Sequence, residues 1–436
     1  MMITTSAYDY LRSRVHSRLA ATGDPLTQAS DVAKLIEAEV EAFQHAAMRR
    51  QNDFEPLADP GLTVERLVQD VSGMGNELAE LLADPTIEEI RGNDGDITYR
   101  TTDGQVHQLA HPANPEAVLS VCQKFVAQAD EQLDASHPRA DAVRIFVDGH
   151  SGRRQARLSA SIAPRIDGVI SFTLRIPQKR NTTLRDLVKF GSITAEAAMF
   201  LEVVVQATRA KMLLAGPPSA GKTTFIEALL RALPARVRAI VCEENRELNA
   251  PLLNGDYWAS SKVEELTDLM RSARVNSPEM IVLGELKGAE AFDLLMAGNF
   301  GTAVIAAVHA NSTAAAFEAL ALAANPAVPA MSASSLVEYF SRLFEVVIYC
   351  DVAYQAETDS YVRQVTEIGV VLPQVAASNG RVAVTPLFQR PEIGADMQLV
   401  GRELPDRLER ECNRALRAKG LDIQQVLAGA EVRWWT

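Results

Sequence analysis

The segment GPPSAGKTT, from Gly216 to Thr224, constrains this chain more than any other stretch. Its pattern Gly216-x-x-x-x-Gly221-Lys222-Thr223 follows the apolar run KMLLAG and precedes KTTFIEALLRAL, which has helical spacing. A strand that turns through a Gly-rich loop into a helix gathers backbone N–H groups and a helix N-terminus around one point, a nest for phosphate oxygens. In such a loop the Lys222 ammonium reaches the β- and γ-phosphates, and the Thr223 hydroxyl ligates Mg²⁺. Gly216, Ser219, Ala220, Gly221, Lys222, Thr223 and Thr224 are therefore the expected nucleotide-binding residues, with ATP and Mg²⁺ as ligands. Pro217 and Pro218 each remove a backbone donor, so the nest must draw on 219–223.

The surroundings of the loop set the fold class. From about 186 onward the helix EAAMFLEVVVQATR, the strand KMLLAG and the helix KTTFIEALLRAL are followed by three more strand–helix pairs. These are RAIVCEE with VEELTDLMRSAR, MIVLGEL with AEAFDLLMAGN, and TAVIAAV with TAAAFEALALAA. Such alternation predicts a mainly parallel sheet covered by helices on both faces. The runs FEVVIYCDVA, YVRQVTEIGVVL and RVAVTPLFQ suit a β edge, and a charged helix is expected near 405–418. Upstream, residues 1–61 read as a helical extension, with Val32, Leu35, Ile36, Val40 and Phe43 at helical spacing. Residues 62–176 read as an α+β domain, with a Gly-Met-Gly break at 73–75 and hairpin turns at Asp94-Gly95 and Asp103-Gly104. Pro177 and the polar run QKRNTT read as a linker over 177–185, and 186–436 as the α/β domain with a C-terminal β/helical subregion.

Length and composition agree with two soluble domains: 436 residues, 47% hydrophobic and 23% charged, with no apolar run long enough to span a bilayer. The start, MMITTSAYDYLRSRVHSRL, lacks an apolar core before a small-residue cleavage site, so a secretory leader is not expected. Cys122, Cys242, Cys350 and Cys412 form no C-x-x-C pair, which argues against a zinc module or a disulfide framework and for a reducing cytoplasm. The net charge of −13 argues against a duplex-DNA partner. Residues 139–189 depart from it, with eleven Arg or Lys against four acids, a net +7 that reads either as a solvated face or as an anion site.

Other titratable residues end the apolar strands. Glu285 closes MIVLGEL, where an acid beside the phosphate loop polarises water or holds the water of a metal ion. Glu243, Glu244 and Glu247 follow RAIVC, and His309 closes AVIAAV. By spacing alone each reads as a site residue or as an ordinary surface or core side chain.

Taken together, these features resemble the type II/IV secretion ATPases, the traffic ATPases of pilus assembly and secretion, and within them the Tad (Flp) pilus assembly, CpaF-like group. The resemblance covers roughly 65–370. GMGNELAELLADPTIEEIRGN and FTLRIP are similar to the N-terminal domain, TLRDLVKFGSIT to the interdomain segment, CEENREL to the Asp box, VLGELKGAEAFDLL to the Walker B box and VHANS to the His box. The resemblance implies a RecA-like P-loop ATPase domain behind a smaller α+β domain and a helical extension. It also implies a homo-oligomeric ring of six subunits with ATP between the domains, working an inner-membrane platform from the cytoplasmic side with no direct nucleic acid. It makes Glu285 the water-activating base, has Glu243 and Glu244 assist at Mg²⁺ and water, and makes His309 a γ-phosphate sensor. Arg157 and Arg175 match arginines that neutralise triphosphate charge, with Arg165 and Arg271 as further positions. Three features depart from the pattern: Glu244 stands for the usual Asp, Lys287 for the usual Arg, and GNFGTAVIAA, with Phe300, for a polar segment. No tetracysteine insert occurs, which points away from the zinc-bearing branch. The departures leave room for a nucleotide-gated scaffold with little hydrolysis, and a DNA-acting motor is the remaining alternative.

Overall fold

The computed structural model describes residues 29–432 apart from 53, 73–75, 103, 110, 111, 114, 150, 151, 177–180, 208, 261–264, 356–359 and 373–381, together with 7, 8, 10, 11, 14, 15 and 18. The expected break at 73–75, Asp103 of the second turn and 177–180 of the linker lie outside the described residues. The chain divides into two compact units, Met1–Gln178 and Lys179–Thr436.

In the first unit, α1 (Ala29–Met48) and α2 (Pro60–Ser72) pack on a small core of Ile36, Val40, Phe43 and Leu67. Asp59 accepts the N–H of Leu62, and Pro60 opens α2 where its missing donor is not needed. Beyond α3 (Asn76–Ala83) lies a six-stranded antiparallel sheet in the order β3-β2-β1-β6-β5-β4. Its strands are β1 (Ile87–Asn93), β2 (Asp96–Thr101), β3 (Val106–Gln108), β4 (Arg139–Gly149), β5 (Gly152–Ser161) and β6 (Ser171–Arg175). Asp94, at φ 52° in the β1–β2 turn, accepts the N–H groups of Val169 and Ile170 and so ties the turn to the segment before β6. Side chains alternate across the sheet: Ile90, Leu158 and Leu174 are buried with α3 and α4 (Pro115–Ala127), while Glu89, Arg157 and Arg175 take the opposite face.

The second unit is built on a nine-stranded sheet in the order β15-β14-β13-β12-β7-β11-β10-β8-β9. Strands β7 (Lys211–Ala215), β8 (Ala239–Glu243), β9 (Gly255–Ala259), β10 (Met280–Leu286), β11 (Ala303–Val308) and β12 (Val346–Gln355) run parallel. Strands β13 (Ser360–Val371), β14 (Val384–Gln389) and β15 (Gln398–Leu399) add an antiparallel edge. The expectation of a β edge from FEVVIYCDVA onward thus needs a correction, because β12 lies inside the sheet, parallel to β7. Its near-continuous burial over Val346–Ile348 is what such a position requires.

Both faces of this sheet are covered. Met212 and Leu214 of β7 join one core with α5 (Leu184–Lys189), α6 (Ala195–Ala207), α7 (Lys222–Arg231), α12 (Asp406–Leu416) and α13 (Ile423–Leu427). Leu213 and Ala215 join a second core with α8 (Leu266–Val275), α9 (Glu290–Asn299), α10 (Ala315–Ala324) and α11 (Ala333–Leu343). Each fully buried aliphatic side chain contributes roughly 1.5–3 kcal/mol. With no free face, polar chemistry is confined to the strand ends, and β7, β8, β10 and β11 all deliver their carboxyl ends to one side. No helix among the described residues is long and apolar enough to cross a membrane.

Candidate active site

The loop after β7 has the backbone its glycines allow. Gly216 lies at φ 149° and Gly221 at φ 90°, and Ser219 takes the left-handed region at φ 62°. A Cβ on Gly216 would lie 2.0 Å from the Cys350 carbonyl oxygen of β12, so only glycine lets the two backbones approach. Gly221 is the N-cap of α7 and brings no side-chain cap. The first-turn N–H groups of α7 therefore point into the loop without a capping oxygen, as an anion nest requires.

Lys222 sits across this nest. Its Nζ donates to the carbonyls of Gly216 and Pro217, each at 2.8 Å, and lies 3.1 Å from His309 Nδ1. Burial lowers its pKa, and the charge of Glu285 partly offsets that. His309, at the end of β11, places Nε2 2.6 Å from Glu285 Oε1. A carboxylate only accepts, so the neutral ring with hydrogen on Nε2 satisfies both contacts: Nε2–H donates to Glu285 and Nδ1 accepts from Lys222. Glu285 comes from a register shift in β10 between Leu283 and Leu286, which breaks the ladder where an acid must turn out of the sheet. Its Oε2 meets Lys287 Nζ at 3.3 Å, and Lys287 meets Glu244 Oε2 at 2.9 Å. One chain of contacts thus runs from the loop through Lys222, His309, Glu285 and Lys287 to Glu244. Its acids are half-exposed, so water reaches them.

Glu243 is placed differently. It is 5% exposed, accepts the N–H groups of Glu247 and Leu248, and lies against Gly284. Burial pushes its carboxyl up to about 7. Thr223 and Thr224 occupy the first turn of α7, directly after Lys222. Arg271 pairs with Asp268 and Asp293 on the helices of the second core. Arg165, in the first unit, is exposed in the turn before β6.

Arg157 and Arg175 are register partners on β5 and β6 of the first unit. The row continues to Arg144 on β4 and, on the other side, to Glu89 on β1 and Arg100 on β2. The row thus sets three arginines side by side with the carboxylate of Glu89 next in line, 3.8 Å from Arg100.

Two contacts carried no local signal in the sequence. The Cys350 carbonyl backs Gly216, and Arg363 of β13 donates from Nε to the Ser219 carbonyl at 2.8 Å. Both partners lie more than a hundred residues from the loop, and only the parallel pairing of β12 with β7 brings them there.

A family model described as type II/IV secretion system protein matches residues 66–429. The chain belongs to that family. A putative conjugal transfer protein of Mycobacterium tuberculosis is 32% identical over 210 residues, covering 46% of this chain and 58% of that protein. The chain therefore spans little over half the length of this mycobacterial relative. The type IV secretion system protein PtlH of Bordetella pertussis is 30% identical over 230 residues, covering 44% of this chain and 68% of that protein. Among solved structures the Legionella pneumophila ATPase DotB has a TM-score of 0.51 at 16% identity, over 67% of this chain and 79% of that one. At that identity the likeness is one of fold, an α/β P-loop domain behind a smaller α+β domain. The family match adds nucleotide binding, to which the loop geometry is suited.

Proposed function

We propose that this chain hydrolyses Mg-ATP to drive a secretion or pilus-assembly system. The observation that carries this reading is the unbroken contact chain from the phosphate nest to Glu285. It sets a cation for phosphate, a histidine and a candidate base side by side at adjacent strand ends. Gly216 provides the close approach, 219–224 the N–H groups, and Lys222 the charge facing the β- and γ-phosphates. Thr223 would hold Mg²⁺ through its hydroxyl, and Glu244 and Glu285 supply the hard oxygens that this ion and its waters prefer. Glu285 accepts the proton of the attacking water, and His309, which touches both Lys222 and Glu285, reports to the base on what Lys222 binds. Glu243 braces the turn after β8, and the arginine row adds positive charge against the triphosphate.

The named relatives are a conjugal transfer protein and a type IV secretion protein, and a secretion or pilus machine at the inner membrane is the corresponding partner here. We assign the CpaF-like pilus group, a homo-hexameric ring, and attachment to the membrane through that partner on the cytoplasmic side. One observation favours a second reading, a nucleotide-gated scaffold with little turnover: both oxygens of Glu285 are already engaged, by His309 and Lys287. Steady-state phosphate release separates the two. Magnesium-dependent turnover by the wild type, nearly abolished in a folded Lys222→Ala variant, is the expected result. Nucleotide binding without phosphate release would favour the scaffold, and unchanged turnover in Lys222→Ala would sink the site itself.

A further inference from the structure

Lys287 has no role in the chemistry just described, yet it touches two of its acids. The root of its side chain is fixed: its own N–H and that of Gly288 donate to Glu290 Oε1 at 2.7 and 2.8 Å, and Glu290 is buried at the start of α9. From there the ammonium reaches Glu244 at the end of β8 and Glu285 near the end of β10, two neighbouring parallel strands. Burial pulls the Lys287 pKa down, but hydrogen bonds and charge from Glu244 and Glu285 outweigh it and leave it raised. Without the lysine, two carboxylates would face each other at adjacent strand ends, an arrangement that disfavours keeping both ionised.

We propose that Lys287 is a positioning residue for Glu285, holding Oε2 while His309 holds Oε1, and that Glu244 anchors the ammonium that does so. The inference rests on the ATPase reading above. The terminal torsion of a glutamate is broad and roughly two-fold, so an untethered Glu285 carboxylate swings. Holding both oxygens fixes the plane of the carboxylate and so the direction of its remaining lone pairs, an orientation gain of the kind that raises turnover rather than affinity. The residue types suit the task. An ammonium is a compact point charge with three donors and can serve two carboxylates that lie in different planes, whereas a guanidinium fork matches one carboxylate in its own plane.

The test measures turnover, nucleotide affinity and melting temperature separately on the whole chain. Lys287→Met should lower kcat about 10-fold or more while the KM for ATP and the Tm stay near wild type. Lys287→Arg, which keeps the charge but not the shape of the ammonium, should recover only part of that loss. Full kcat in Lys287→Met, or a loss in which KM and Tm move together with kcat, would each overturn the proposal. A wild-type chain that binds ATP and releases no phosphate would sink the ATPase reading and this inference with it. An active wild type beside an equally active Lys287→Met would sink this inference alone.

Discussion

The two sheets of this molecule carry their charge in different places. In the antiparallel sheet one face packs against helices, and Arg144, Arg157 and Arg175 lie side by side on the other across β4, β5 and β6, the first two in mid-strand and Arg175 at the end of its strand. In the parallel sheet both faces are buried, and Lys222, Glu285, His309 and Glu244 lie at or beyond the carboxyl ends of strands. The difference follows from coverage: a half-covered sheet has a surface to spend on a ligand, while a fully covered one has only its rim. The rim is where loops converge and geometry can be fixed to an ångström. The open face offers charge with less control over direction. The first arrangement therefore suits neutralisation and the second suits chemistry.

The division can be broken at its strongest point first. Glu285→Gln keeps size and one hydrogen bond but cannot take a proton, so turnover should fall about 10²-fold or more with ATP binding kept. Unaffected turnover would move the base elsewhere. On the open face, Arg157→Ala or Arg175→Ala should lower turnover by roughly 10- to 100-fold, the worth of one charge-assisted hydrogen bond, and leave the P-loop unit folded. Mixing either variant with Lys222→Ala asks whether the arginines act in another subunit, since two inactive chains that recover activity together must share a site. Wild-type turnover in both arginine variants, with duplex DNA affinity falling instead, would promote the DNA motor.

The smallest effect concerns Glu243. Its folded carboxyl titrates at about 7 and its ordinary value is 4.5, so between the two the unfolded chain has lost a proton that the folded chain keeps. Its contribution to stability is complete below the lower value and lost as pH rises through the higher, worth at most about 3 kcal/mol. Denaturant unfolding from about pH 4.5 to about pH 8 should show that slope in the wild type and a flatter one in Glu243→Gln. The same variant should lose less turnover than Glu285→Gln, and an equal loss would show that a buried acid shares the chemistry of the rim.

Much of this was legible in the sequence, for identifiable reasons. The strand–loop–helix around 216–224 announces itself because every constraint is local, and the strand–helix alternation follows from it. Edge strand β9 was missed: GDYWA is five residues, half-buried throughout, with no alternation to read. Helix α11 was missed as well, lying between a Pro-rich stretch and a strand. At the site, strand-end acids were visible as residues but not as partners. Glu243 and Glu244 are neighbours in sequence, yet one turns inward to backbone N–H groups and the other outward to Lys287. That choice is made by Gly284 and the turn at 247–248, and no spacing rule contains it.

Strands β12 and β13 form a ribbon of ten register pairs, from Val346 opposite Val370 to Gln355 opposite Ser360. Each strand grips the phosphate loop at one point, β12 through the Cys350 carbonyl against Gly216 and β13 through Arg363 on Ser219. The loop is thus held from both strands of the ribbon. A side chain at 216 would wedge the two apart, and Gly216→Ala should show it as faster amide exchange along β12 even before any nucleotide is added. With glycine at 216 both contacts stay in place, so the loop's backbone is braced by strands that lie far from it in the sequence.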